Sequence, residues 1–151
     1  MGTSGKFDIF RSQKITNNMG AWEMTKFGND TAMDWMFDFE KDPTLTLLEE
    51  TIDSVFDDDY LDSDIASEAL AALEIVAAAG GHRANDFPED VTVEQLAAIA
   101  TRITPPFIDD CRKALDRITD PEDNELYELW EEAGHAEDWL NIEKDLRTRL
   151  G

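Results

Sequence analysis

The sequence predicts an all-α fold: a compact bundle of about seven short helices behind an irregular or short-strand N-terminal extension. Three observations predict it. From Asn29 onward, apolar residues recur at every third or fourth place, the period that keeps them on one side of a helix. Residues that start helices precede several of these stripes, most plainly Thr92 with Gln95, and Thr104 before Pro105-Pro106. Glycines stand where stripes stop, at Gly80-Gly81 and at Gly134.

Residues 1–18 read apart from the rest. Lys6, Arg11 and Lys14 make them mildly basic, and Phe7, Ile9 and Ile15 among polar neighbours fit either a short strand or a flexible extension. Residues 19–151 then read as one helical domain. In the first helix Asn29 or Asp30 is placed to cap a stripe of Ala32, Trp35, Met36 and Phe39. Asp42-Pro43 reads as a cap followed by a first-turn proline for a second helix carrying Leu45, Leu48, Ile52, Val55 and Phe56. The run Asp57-Asp58-Asp59 interrupts it. Ser63 or Asp64 starts a third helix whose stripe is Ala66, Ala69, Leu70, Leu73, Val76 and Ala77, and its many alanines suit close helix–helix approach.

Thr92 and Gln95 form a capping box, and Val91 is placed to staple onto Leu96 in a fourth helix that buries Ile99, Ala100 and Ile103. Thr104 caps a fifth helix with the stripe Phe107, Ile108, Cys111, Leu115 and Ile118, ended by Asp120-Pro121. Leu126, Tyr127, Leu129 and Trp130 mark a short sixth helix. Trp139, Ile142, Leu146 and Leu150 mark the last.

Charge narrows the function classes. The chain carries 35 acidic against 13 basic residues, a net charge of −22. Such a surface repels phosphate backbones and anionic membranes, so direct nucleic-acid or membrane binding is disfavoured and a basic protein partner is favoured. The plainer reading, that the acid serves solubility alone, carries equal weight. No apolar run is long enough for a membrane span, and no signal-peptide pattern opens the chain. With the single Cys111, no intrachain disulfide can form; the simplest location is a bacterial-type cytoplasm.

Several motifs carry a family resemblance. The chain reads Met19-Gly20-Ala21-Trp22, then Phe27, Asn29, Asp30, Ala32, Asp34 and Trp35. Tyr60-Leu61 follows before an acidic cap, then Ser67 to Ala72 leading to Val76-Ala77-Ala78. Asn124-Glu125-Leu126, Leu129-Trp130 and Trp139-Leu140 come near the end. In these stretches, over residues 19–150, the sequence resembles a bacterial domain family of unknown function, number 4259. Glu23 and Thr25 stand near places where that family usually has glycine. The resemblance implies a helical bacterial cytoplasmic domain and implies no activity.

Two candidate sites follow from the residues themselves. Trp22, Asn29, Asp30, Asp34 and Trp35 are the denser set. Asp30 and Asp34 lie one helical turn apart and can hold a divalent cation with Asn29, but caps and packed tryptophans explain the same residues more simply. Glu128, Glu131, Glu132 and Asp138 surround Trp130, an arrangement that suits docking of a basic partner with the tryptophan as anchor; the alternative is a solvated face with Trp130 in the core. The run Asp57 to Asp64 fails the twelve-residue calcium loop, with Leu61 and Asp62 where an oxygen ligand and a glycine are needed. His82 and His135 are not spaced as metal ligands, and Cys111 reads as a buried thiol. The expectation is a protein-binding module without catalytic residues or cofactor, of the kind that inhibits a basic toxin or nuclease. The alternatives are a divalent-metal protein or metal-dependent enzyme using the acids near the first helix, and a non-catalytic accessory protein.

Overall fold

A computed structural model describes residues 29–82 and 91–151. Among these the α-helices are α1 (Asn29–Lys41), α2 (Leu45–Asp53), α3 (Ser63–Ala79), α4 (Val93–Ala100), α5 (Pro105–Thr119), α6 (Glu125–Glu132) and α7 (Ala136–Leu150). A 3₁₀ turn, Ser54–Phe56, extends α2. The described residues contain no strand, only an isolated parallel bridge between Leu61 and Asn124. No helix among them is long and apolar enough to cross a membrane. Residues 1–18, expected as an extension, lie outside the described residues.

The layout follows from α3, which packs against each of the other helices. Twelve of its seventeen residues are buried, so it is apolar all round rather than on one stripe, as a central helix must be. Ala66, Ala69 and Ala72 are fully buried on it, and their short side chains let neighbouring helices come close. Phe39 from α1, Leu48 and Ile52 from α2, Leu115 and Ile118 from α5, and Leu146 from α7 are also fully buried in the same cluster. Each such side chain contributes roughly 1.5–3 kcal/mol by leaving water.

The helix ends bear out the local chemistry in most places. Thr92 Oγ1 accepts from the Gln95 amide at 3.1 Å while the Gln95 side chain accepts from the Thr92 amide at 2.9 Å, the expected capping box. Val91 and Leu96 are both buried beside it. Thr104 Oγ1 accepts from the Phe107 amide at 3.3 Å, with Pro105 and Pro106 in the first turn of α5. At the end of α3, Gly81 has φ of 92°, and the amides of Gly81 and His82 donate to the Ala78 and Ala77 carbonyls, both at 2.9 Å. Gly134 repeats this closure after α6, with φ of 79° and bonds to Glu131 and Trp130.

Four expectations are corrected. Asp42 does not cap α2: its amide still donates to Asp38 and Phe39 at the end of α1, and the cap is Thr44, whose Oγ1 accepts from Leu47 at 3.2 Å. Pro43 therefore precedes the cap instead of following it. Asn29 and Asp30 are the first residues of α1 itself, so neither stands before it as a cap. Phe56 leaves the core: the tightening to a 3₁₀ turn shifts its direction, and it is 50% exposed while Val55 stays buried. Ala100, Ile103 and Ile108 are half-buried and not buried, although Ile103 and Ile108 still pack against the core cluster.

Candidate functional site

After Ile118 the chain must leave α5 and turn back into α6, and the residues of that turn build an acidic face. Asn124 is fully buried, and its side chain does two jobs. Oδ1 accepts from the Tyr127 amide at 3.0 Å, capping α6. Nδ2 donates to the Ile118 and Asp120 carbonyls at 2.5 and 2.9 Å, satisfying groups that the end of α5 leaves open. Asp123 sits before it at φ of 50°, a left-handed conformation that Asp tolerates better than most residues.

Arg117 fixes the other side of the turn. Its guanidinium donates to the carbonyls of Glu122 (3.1 Å), Asp123 (2.7 Å) and Asp59 (3.0 Å). The Leu61 amide donates to the Asp123 carbonyl at 2.7 Å, and the Glu125 amide to the Leu61 carbonyl at 2.9 Å. Glu125 Oε1 then accepts from the Ser63 amide at 2.9 Å, and Asp62 Oδ1 from the Asp64 amide at 2.6 Å, so two carboxylates serve the N-terminus of α3. These bonds join two acidic stretches about sixty residues apart, Asp57–Asp59 and Asp120–Glu125. Both belong to the stretches, or abut the stretches, that carry the family resemblance around Tyr60-Leu61 and Asn124-Glu125.

Tyr60 stands on this face, 46% exposed, its hydroxyl donating to Glu128 Oε2 at 3.3 Å. Loss of solvent around the phenol, then the charges of Glu128, Glu125 and Asp123, hold its ionisation above the ordinary range. It stays a neutral donor in a negative field. Among the described residues the arginines that form ion pairs lie elsewhere: Arg112 with Asp109, Arg147 with Asp116 and Glu143, and Arg149 with Glu74 and Asp145. Arg117 spends its donors on backbone carbonyls, which leaves the side-chain carboxylates of the face outward.

The second expected site comes out divided. Glu128, Glu131, Glu132 and Asp138 are exposed as required, and Asp138 pairs with His135 Nδ1 at 3.1 Å. Trp130 is not an anchor for a partner. It is fully buried, stacked on Trp139 with ring centroids 6.1 Å apart and 7° between planes, with His135 edge-on at 5.9 Å. Its large apolar area belongs to the core, and the aromatic that faces Glu128 from the surface is Tyr60.

Of the first site, Trp35 packs into the core. Its Nε1 donates to Thr51 Oγ1 at 2.8 Å, and it stacks on Phe39 at 5.5 Å. Asp30 and Asp34 are exposed on α1, of which Asn29 is the first residue. Trp22 lies outside the described residues. Among the described residues no three His, Cys, Asp or Glu side chains converge as metal ligands. Cys111 is fully buried, and desolvation pushes its thiol up to about 12.

The sequence reading missed two further features. Glu74 is 1% exposed in the middle of α3 and meets Arg149 of α7 in a two-pronged ion pair at 2.8 and 3.0 Å. A lone charge inside Ala69–Ala78 was the available signal, since a buried carboxylate requires a partner. Arg117 gave no signal, because its acceptors are backbone carbonyls on distant loops. Comparison with curated proteins and with solved structures brings out no match. The family model of a domain of unknown function, DUF4259, matches residues 20–141, and the chain belongs to that family.

Proposed function

We propose that this protein is an acidic protein-binding module, an immunity-type inhibitor of a basic toxin or nuclease, working in the bacterial cytoplasm. The observation that carries the reading is the pinned acidic face: Asp57–Asp59, Asp123 and Glu128 gathered around the exposed Tyr60 by bonds from Arg117 and Asn124. A pre-formed face spends little ordering entropy when a partner arrives, and net charge of −22 steers a cationic partner toward it. Tyr60 supplies a rigid aromatic contact with a polar tip, the kind of residue enriched among binding hot spots. Basic enzymes that grip phosphate would find carboxylates where they expect their substrate.

The test is a pull-down from the native host at low and at high salt, with wild-type protein and a variant carrying Asp58→Asn, Tyr60→Ala and Glu128→Gln. The expected result is a basic protein held by the wild type at low salt, released at high salt, and lost with the variant. Retention of nothing at low salt, or equal retention by the variant, removes the reading.

A further inference from the structure

The outer side of α1 holds an apolar pair that the core does not use. Met33 and Phe37, one turn apart, are 50% and 59% exposed, while Ala32, Trp35, Met36 and Phe39 take the inner side. The pair is bordered by carboxylates at Asp34 and Asp38, and the ammonium of Lys41 lies 4.4 Å from the centroid of the Phe37 ring. A cation over that ring shows the class of group its face attracts.

The flank of α1 next to this strip, which carries Asp34 and Asp38, turns toward the start of α3. Thr31 Oγ1 donates to Asp64 Oδ1 at 3.0 Å, which seats the first turn of α1 beside the first turn of α3, directly after Tyr60-Leu61. Across the same seam, half-buried Glu68 has its carboxyl raised by loss of solvent and then by the charges of Asp64, Asp38 and Asp62. Like charges are crowded there, so a cation arriving from outside gains more than it would on an open surface. A second copy of this chain is a poor occupant, because it would bring more negative charge to the seam.

We infer that the outer side of α1 docks a basic amphipathic helix of the partner, its apolar stripe covering Met33 and Phe37 and its lysines or arginines meeting Asp34 and Asp38. The inference rests on the partner-binding reading and extends its footprint from a purely ionic face to a mixed one. Apolar contact adds affinity that salt does not screen, and carboxylates at the border fix the register.

Two synthetic peptides of about 18 residues test it, equal in lysine content, one with leucines on a helical stripe and the other with serines in their place. Binding is measured by fluorescence anisotropy at about 0.15 M salt. The variants are Met33→Ser with Phe37→Ser, and Asp58→Asn with Glu128→Gln; both pairs are exposed, and circular dichroism confirms each fold. The leucine peptide is expected to bind at least about tenfold tighter than the serine peptide, and the Met33/Phe37 variant to abolish that difference while the Asp58/Glu128 variant keeps it. Equal binding of the two peptides, or a difference that survives in the Met33/Phe37 variant, overturns the inference and leaves the acidic-face reading standing. Absence of binding by either peptide even at low salt removes both. A dimer of the wild type in sedimentation that the Met33/Phe37 variant dissolves also overturns it, by assigning the strip to a second copy.

Discussion

Replacing Arg149 by methionine probes its deeply buried ion pair with Glu74. Glu74 is 1% exposed, and the arginine that holds it is 14% exposed at its side chain, so little water screens the interaction. Burial works against the guanidinium, yet the bonds and charges of Glu74 and Asp145 keep it protonated well beyond any working pH. Arg149→Met keeps much of the apolar stem and leaves the carboxylate without that partner inside α3. Removing one partner of a buried pair costs about 3–5 kcal/mol, against a total stability of about 5–15 kcal/mol for a domain. At about 2–4 °C per kcal/mol for a chain of this size, the melting temperature is expected to fall by about 6–20 °C. The double variant Glu74→Met with Arg149→Met should recover most of the loss, because the buried carboxylate that Arg149 served is then gone as well. Urea unfolding of the four proteins in the cycle gives the coupling. A loss below about 1 kcal/mol in Arg149→Met, or a double variant no better than the single, would refute the claim that the loss of Arg149 from the buried Glu74 carboxylate sets the cost.

Asn124→Ala should lose about 2–4 kcal/mol in urea unfolding, one part from the α6 cap and the rest from carbonyls of α5 left without their donor, and hydrogen exchange at Leu61 should quicken as the bridge loosens. Glu68→Gln should stabilise the protein at neutral pH. The folded carboxyl is raised, so wild-type Glu68 favours folding only below its unfolded titration range and penalises it as pH rises through the folded one; the advantage of glutamine must vanish in acid, as thermal melts across pH would show. Cys111 should react with a thiol reagent only as fast as the protein opens, with a burst at neutral pH in native buffer as the contrary result.

What could be read from the chain was what local spacing encodes. The Thr92–Gln95 box, Thr104 before two prolines and the glycine closures at Gly81 and Gly134 are each contained within six residues, so sequence alone displays them. Near misses came where two neighbouring residues compete for one role, as Asp42 and Thr44 did for the cap of α2, or where a helix tightens and swings a side chain outward, as at Phe56. The acidic site was half legible. Glu128 and its neighbours declared themselves by charge, but amphipathic spacing alone does not say whether a tryptophan among acids points in or out; Trp130 turned inward because Trp139 from α7 is there to stack on it. Partners 75 residues apart, such as Glu74 and Arg149, leave no period in the sequence. Nor does an arginine whose acceptors are peptide carbonyls, which every residue possesses alike.

That last choice of acceptors has a practical bearing. Dissolved ions weaken attraction between exposed opposite charges far more than they weaken a bond from a guanidinium to a peptide dipole in a folded turn. The loops that Arg117 gathers should therefore keep their shape in brine that strips away any cationic visitor. A titration with sodium chloride then reads the strength of association alone, free of any melting of the surface that makes it.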